Sequence, residues 1–160
     1  MDDKRLKKND ILMNLLRPVL KTFVRQRIIS NTLFKRAANP KIIKKILEQA
    51  YPSGNNVDEE LIEILYKPSK RKNSKEAFRG FINLFDDYLA TDLFDKVKTP
   101  IQLIWGEKDP WESLSEAKEW KKQFNNIQRL DIIEGAGHCP HDEKPDKTNK
   151  FMLEFIQETK

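Results

Sequence analysis

Two stretches decide the fold of this chain: IQLIWGEKDPW at residues 101–111 and LDIIEGAGHCPHD at residues 130–142. Each begins with an apolar run and continues into a loop that carries glycine and a candidate catalytic side chain, Asp109 or His138. The run at residues 101–105 is nearly unbroken, which is typical of a strand buried on both faces of a parallel sheet. We therefore expect two strands, each followed by a functional loop.

The elements around these strands predict a βαβα unit. A helix with a serine cap is expected over residues 113–124, the second strand over residues 128–134, and a terminal helix from Pro145. A strand, helix and strand in this order place the two strands parallel in one sheet. Asp109 and His138 then follow the carboxyl ends of neighbouring strands, where ligands bind in open parallel sheets.

Asp109 and His138 fit the acid and base of a hydrolytic triad. A carboxylate can orient an imidazole and stabilise its charged form, while the second ring nitrogen acts as a general base. The structural alternative is that Gly106 and Asp109 only terminate a strand, because both residue types favour turns. The second loop, which ends in Gly137 and His138, favours the catalytic interpretation.

The ligand-type side chains of the second loop also raise the alternative of a metal site. They are His138, Cys139, His141, Asp142 and Glu143. Crowded into six residues, they lack the pair-and-pair spacing of zinc sites, so we predict neither a metal nor another cofactor. Cys139 is predicted to be a small buried residue beside the turn rather than a nucleophile, because no second basic group accompanies it.

Trp111 is the candidate substrate-binding residue. It lies just beyond the acid and could line an acyl or alcohol pocket. Equally, it could pack on the helix that follows, and the sequence favours neither use.

Residues 1–98 are predicted to be helical. Apolar side chains recur at helical spacing over residues 11–24, and Pro18 should bend or break that run. Asn39 before Pro40 is a cap followed by proline at the first helical position, so a second helix should begin there.

Two further helices are expected before the first strand. Asn56 and Glu59 have capping-box spacing and predict a short helix that ends near Lys67, followed by a basic loop. Another helix is expected over residues 74–85. The domain organisation is thus a helical region over residues 1–98 and a βαβα region over residues 99–160.

Composition limits the partners and the compartment. The 160 residues include 30 Lys and Arg against 25 Asp and Glu, and the resulting net charge of +5 comes without a binding module, so no nucleic-acid partner is predicted. A single cysteine excludes an intramolecular disulfide and fits a reducing compartment. No signal core and no long apolar run is visible, so the expected location is cytoplasmic, with at most peripheral membrane contact.

The two loops resemble the C-terminal half of the α/β-hydrolase family, and above all the pheophytinase-like hydrolases of cyanobacteria and plastids. The matching words are WGEKDPW at residues 105–111 and GAGHCPHD at residues 135–142. The resemblance implies that Asp109 is the triad acid and that His138 is the triad base. It also implies an α/β fold in which a helical lid precedes two parallel strands.

The helical region from about residue 15 to 84 resembles the lid that this family inserts between core strands. It includes the stretch DEELIEILYKP at residues 58–68. In a lid, the apolar stripes of the helices would shelter a bulky apolar substrate; otherwise they would be ordinary core, and the sequence does not separate these uses.

The front half of the family pattern has no match, so no nucleophile is predicted. It would supply the early strands, an oxyanion loop and the Gly-x-Ser-x-Gly elbow. The six serines occur instead in cap or loop contexts: Ser30, Ser53, Ser69, Ser74, Ser113 and Ser115. Two strands alone leave a sheet edge unpaired, so the expected partner is a separate N-terminal half chain or a second copy of this chain.

Three functional hypotheses follow. In the first, the chain contributes the acid, base and lid of a serine hydrolase for a carboxylic ester with a bulky apolar group, and is inactive alone. In the second, the chain is a catalytically inactive remnant or a binding module. In the third, the missing nucleophile is Asp, and the same acid and base serve the chemistry of an epoxide hydrolase or dehalogenase.

Overall fold

The computed structural model of the chain describes residues 22–23, 25–83 and 89–159. The predicted helix over residues 11–24 lies almost entirely outside the described residues. Among the described helices, none combines the length and the apolar character that crossing a bilayer requires.

The chain divides into two compact units that interleave in sequence. The helical unit comprises Met1–Lys44 and Glu59–Leu89, and the strand unit comprises Lys45–Asp58 and Ala90–Lys160. The short segment 45–58 thus groups with the strands. The sequence-based boundary between residues 98 and 99 stays a prediction.

The helical unit is built from amphipathic helices. Their bounds are α1 Arg27–Ala37, the first half of α2 Pro40–Ala50, α3 Glu59–Tyr66 and α4 Ser74–Asn83. The rings of Phe34 on α1 and Phe78 on α4 lie 5.3 Å apart, and an ion pair of 3.5 Å joins Arg27 to Glu76. These contacts hold α1 against α4.

Two sequence predictions near α2 and α3 have different outcomes. The Asn39 cap is confirmed, because its side-chain oxygen accepts a hydrogen bond of 2.9 Å from the Lys41 amide. The Asn56 cap is wrong: α3 begins at Glu59, too late for a cap at 56. Asn56 adopts a left-handed φ of 66°, and its side chain donates to the Asp142 carbonyl instead. A long-range contact has replaced the local cap.

The strand unit carries the βαβα order that the sequence predicts. Its elements are α5 Ala90–Leu93, a 3-10 turn Phe94–Lys96, β1 Ile101–Gly106, α6 Leu114–Gln123, β2 Ile127–Ile133, α7 Pro140–Glu143 and α8 Pro145–Glu158. Strands β1 and β2 are parallel, with Gln102 opposite Arg129 and Gly106 opposite Ile133. The predicted cap of α6 is confirmed, since the Ser113 side chain accepts from the Ser115 amide. Because Gly106 lies opposite Ile133, the carboxyl ends of β1 and β2 lie level with each other.

Opposite faces of β1 meet different helices. Trp105 packs edge-on against Trp120 of α6 with ring centroids 5.7 Å apart, while the Gln102 amide donates to the Phe151 carbonyl of α8 at 3.0 Å. Alternate residues of a strand face opposite sides, so α6 and α8 lie on opposite faces of the sheet. The strand is nevertheless only half-buried from Ile101 to Trp105, against the expectation of full burial.

An arginine on β2 joins the strand to the terminal helix. Arg129 contacts Asp131 at 2.8 Å on its own strand, and Glu154 at 2.7 Å and Glu158 at 3.0 Å on α8. The hydrogen bonds to Glu154 and then Asp131 raise the pKa of Arg129 above its ordinary value. This cluster fixes α8 against β2.

Candidate active site

The loop after β1 is joined to the end of β2 by backbone hydrogen bonds. The Glu107 amide donates to the Ile133 carbonyl at 3.0 Å, and the Lys108 amide donates to the Ala136 carbonyl at 2.8 Å. A Cβ at Gly106 would lie 1.8 Å from the Gly137 carbonyl oxygen. Only glycine fits at position 106, because any larger residue would bring its Cβ into the Gly137 carbonyl group.

Asp109 is buried and engaged through both carboxylate oxygens. Its side chain is 7% exposed, and Oδ1 accepts from the amides of Trp111 at 2.9 Å and Glu112 at 3.0 Å. Burial alone would raise the pKa of Asp109. The hydrogen bonds from Glu112, Trp111 and His138 outweigh it and hold this pKa below its ordinary value. The carboxylate is therefore ionised at neutral pH.

The second oxygen of Asp109 meets the candidate base. Oδ2 lies 3.0 Å from Nδ1 of His138, whose side chain is 40% exposed. An ionised carboxylate only accepts, so Nδ1 carries the proton in this contact and Nε2 is left as the basic nitrogen. None of the described residues forms a hydrogen bond with Nε2. The geometry is that of an acid and base ready for a third group.

Trp111 lies beside the base. Its ring stands edge-on to the imidazole of His138, with ring centroids 4.8 Å apart, and its side chain is partly exposed. The structure thus places Trp111 next to His138, and its role in substrate binding stays a prediction.

A cleft opens beside the pair. Its volume is about 190 Å³, and its lining residues are Ile104, Trp105, Gly106, Asp109, Glu112, His138 and Pro140. The wall is mainly apolar around one acid and one base. Such a wall suits a ligand whose body is apolar and whose reacting group is polar.

A segment at the end of α2 supports the loop over residues 134–139 that carries His138, which we call the base loop. We call residues 50–56 the strap. The His138 amide donates to the Ala50 carbonyl at 2.9 Å, and the Tyr51 hydroxyl donates to Asp142 at 2.8 Å. Burial, followed by hydrogen bonds with Cys139 and Asp142, raises the pKa of Tyr51, so its hydroxyl remains a donor. The strap therefore fixes the backbone on which His138 stands.

Glycine is again required where the strap meets the base loop. A Cβ at Gly137 would lie 2.2 Å from the Ala50 carbonyl oxygen and 2.3 Å from Pro52. The Gly137 amide donates to Glu143. The sequence does not predict the contact of Gly137 with Ala50 and Pro52, because these residues are far apart along the chain.

The ligand-type side chains of the base loop and of α7 point to separate partners. His138 is paired with Asp109, Asp142 with Tyr51, and Glu143 with Ser53. Within the described ranges, no three His, Cys, Asp or Glu side chains gather in a way that could hold a metal ion. Cys139 is half-buried and precedes α7.

The serine hydroxyls all have other partners than the base. Ser30, Ser69 and Ser74 donate to nearby carbonyls, Ser53 bonds Glu143, and Ser113 and Ser115 bond each other. None of the described serines is therefore placed to be the nucleophile for His138.

A two-stranded parallel sheet with an aspartate and a histidine at its carboxyl edge defines the class: the chain carries part of an α/β-hydrolase fold. No family model matches it. A solved α/β hydrolase from a Medee basin deep-sea metagenome library superposes with a TM-score of 0.63 and 21% identity, covering 89% of this chain and 52% of that one. At this identity the likeness shows the fold.

Three curated hydrolases are similar to parts of this chain. The chain is 29% identical over 135 residues to chloroplastic pheophytinase of Arabidopsis thaliana, covering 81% of this chain and 27% of the relative. It is 37% identical over 82 residues to human monoacylglycerol lipase ABHD6, covering 51% and 24%. Epoxide hydrolase 3 of Xenopus tropicalis is 27% identical over 121 residues, covering 72% and 32%. The chain is thus related to the α/β-hydrolases, and the matched part spans a quarter to a third of these relatives.

Proposed function

We propose that this chain supplies the acid and the base of a serine-hydrolase triad that cleaves a carboxylic ester. One observation carries the proposal: Asp109 Oδ2 lies 3.0 Å from His138 Nδ1 where two parallel strands end. The relationship to lipases, pheophytinase and other α/β-hydrolases supports it.

The two residues divide the proton chemistry between them. Nε2 of His138 takes the proton of a nucleophilic hydroxyl as that oxygen attacks the ester carbonyl, and later returns a proton to the leaving alcohol. Asp109 keeps the imidazole in the required tautomer and stabilises the imidazolium that forms. Its low pKa suits this role, because a protonated Asp109 would no longer stabilise that charge.

A bulky apolar ester is the proposed substrate. The cleft is walled by Ile104 and Trp105, and the exposed ring of Trp111 stands beside the base. The names of two relatives, pheophytinase and monoacylglycerol lipase, are consistent with large apolar substrates. In this proposal the helical unit acts as the lid, and Trp111 contacts the substrate.

The nucleophile and the oxyanion donors come from outside the described residues. Within those residues β1 pairs with β2 alone, so one edge of β1 is open to another strand. An N-terminal half chain that adds its strands there would bring its nucleophile to the edge that holds His138. A second copy of this chain is the other proposed partner, and the proposed location is the cytoplasm.

Epoxide hydrolysis is a second candidate, because an epoxide hydrolase matches 72% of this chain. There the nucleophile is a carboxylate that forms an ester with the opened epoxide. His138 then activates the water that cleaves this ester. The acid and base are the same in both reactions, so the nucleophile distinguishes them.

The test is hydrolysis by the chain alone and mixed with a polypeptide that carries the front half of an α/β-hydrolase, taken first from the reading frame upstream. The substrates are a p-nitrophenyl acyl series, a phytyl-type ester and an aryl epoxide. Ester turnover in the mixture alone supports the proposal, and epoxide turnover alone favours the second candidate. No turnover by a folded complex would leave an inactive remnant or a binding module.

A further inference from the structure

Glu143 is a buried carboxylate that the acid and base pair does not use. It ends α7, five residues beyond His138, and is 5% exposed. Burying a carboxylate is unfavourable unless hydrogen bonds replace its water. The hydrogen bonds that replace water at the Glu143 carboxylate therefore indicate what this residue does near His138.

The donors around Glu143 come from the base loop and from the strap. Oε1 accepts from the Gly137 amide, and Oε2 accepts from the Ser53 amide at 3.2 Å and from the Ser53 hydroxyl. These three contacts give each carboxylate oxygen of Glu143 at least one hydrogen bond. Glu143 thus links the strap to the base loop.

These bonds act on the peptide group that carries the base. Glu143 holds the amide of Gly137, the residue before His138, while the His138 amide is held by the Ala50 carbonyl at 2.9 Å. Two consecutive amides are therefore fixed from outside the loop. The imidazole can then keep its 3.0 Å contact with Asp109 although its own side chain is partly exposed.

We propose that Glu143, acting with Ser53, is a positioning residue for His138. It holds the Gly137 peptide so that Nδ1 faces Asp109 and Nε2 faces the cleft. The inference rests on the proposed function, in which His138 is the general base. Glu143 does not touch the substrate; it acts through the base loop.

The substitution Glu143→Gln separates this role from simple packing. Gln has nearly the same size, but its amide group has one acceptor oxygen and donates through its nitrogen. It cannot accept from both the Gly137 and the Ser53 amides in the present arrangement. The exposed Glu134, in the turn after β2, offers the matched control Glu134→Gln.

The test is the proton and nitrogen NMR spectrum of the imidazoles, which needs no turnover. The chain has only two histidines, His138 and His141, so each can be assigned by substitution. We expect a far-downfield Nδ1 proton from His138 that is lost in Asp109→Asn. Glu143→Gln should also abolish or broaden that signal, while Glu134→Gln leaves it in place.

The outcomes separate this inference from the proposed function. A downfield signal that Asp109→Asn removes and Glu143→Gln leaves unchanged would overturn the positioning role alone. The absence of the signal in the unmodified chain would count against the acid and base pair itself. If Glu143→Gln does not fold, Ser53→Ala removes one donor and should shift the same signal by less; an unchanged signal would overturn the inference.

In an assembled, active complex, the positioning role has a kinetic signature. Glu143→Gln should lower kcat by about 100-fold, as expected when a reacting group is displaced by about 1 Å, with KM nearly unchanged. An equal loss in Glu134→Gln, or a change confined to KM, would contradict the role.

Discussion

At the scale of single residues, the site depends on two glycines, Gly106 and Gly137, as much as on Asp109 and His138. Gly106 and Gly137 let the end of β1, the base loop and the strap approach to within a distance that no Cβ permits. The local sequence predicted turns at these glycines. It did not predict the close approach, which depends on carbonyl oxygens from distant segments.

Gly106→Ala should destabilise the chain. Its Cβ would overlap the Gly137 carbonyl oxygen, and relief requires one loop to move, at a cost of about 3 kcal/mol. Gly80→Ala is the matched control, since that position is helical, exposed and has nothing within 4 Å of an added Cβ. It should stabilise by about 0.4–1 kcal/mol. Urea unfolding of both variants measures the difference; equal stabilities would contradict the loop contact.

The pH dependence of stability should report Asp109. Its folded-state pKa is depressed, so its contribution is present above the unfolded value of about 3.9 and is lost as pH falls through the folded pKa. The difference in unfolding free energy between the unmodified chain and Asp109→Asn should therefore be largest above about pH 4 and should shrink below it. The exposed Asp95 gives the control Asp95→Asn, which removes a surface carboxylate elsewhere in the strand unit. A flat Asp109→Asn difference would contradict the ionised, hydrogen-bonded carboxylate.

At the scale of elements, local patterns predicted much of the strand unit. The apolar run before Gly106 predicted β1, and the serine cap predicted the start of α6. The parallel pairing of β1 with β2 brings Asp109 and His138 together. The strap was not predicted, because Tyr51 and Ser53 bond partners about 90 residues away and no local signal announces such a contact. Asn56 does not cap α3 for the same reason, because its side chain bonds Asp142, 86 residues away in the sequence.

Tyr51→Phe should loosen the base loop. The change keeps the ring and removes the hydroxyl with its hydrogen bonds to Asp142 and Cys139, of which the partly buried bond to Asp142 is worth about 1–2 kcal/mol. Amide hydrogen exchange of His138, whose amide is bonded to the strap, should accelerate about tenfold. Tyr66→Phe is the control, since the Tyr66 ring lies under Lys70 and Phe preserves that contact. Exchange that accelerates equally in both variants would argue against the strap.

At the scale of the whole molecule, the proposed acid and base lie among the described residues, and none of the described serines is placed to act as their nucleophile. The chain matches a quarter to a third of the length of its curated relatives, and its described sheet has two strands. A cleft with a paired Asp109 and His138 is complete for proton transfer and incomplete for covalent catalysis. Under the proposed function, a nucleophile from outside the described residues completes this site.

The most direct test is the ester turnover of the complemented assembly with the unmodified chain, His138→Ala and His141→Ala. We expect His138→Ala to lower turnover by about 10⁴-fold to 10⁶-fold, as the loss of a triad base does. His141→Ala should leave turnover within a few-fold of the unmodified assembly. Equal activity with His138→Ala would contradict the claim that this chain supplies the base.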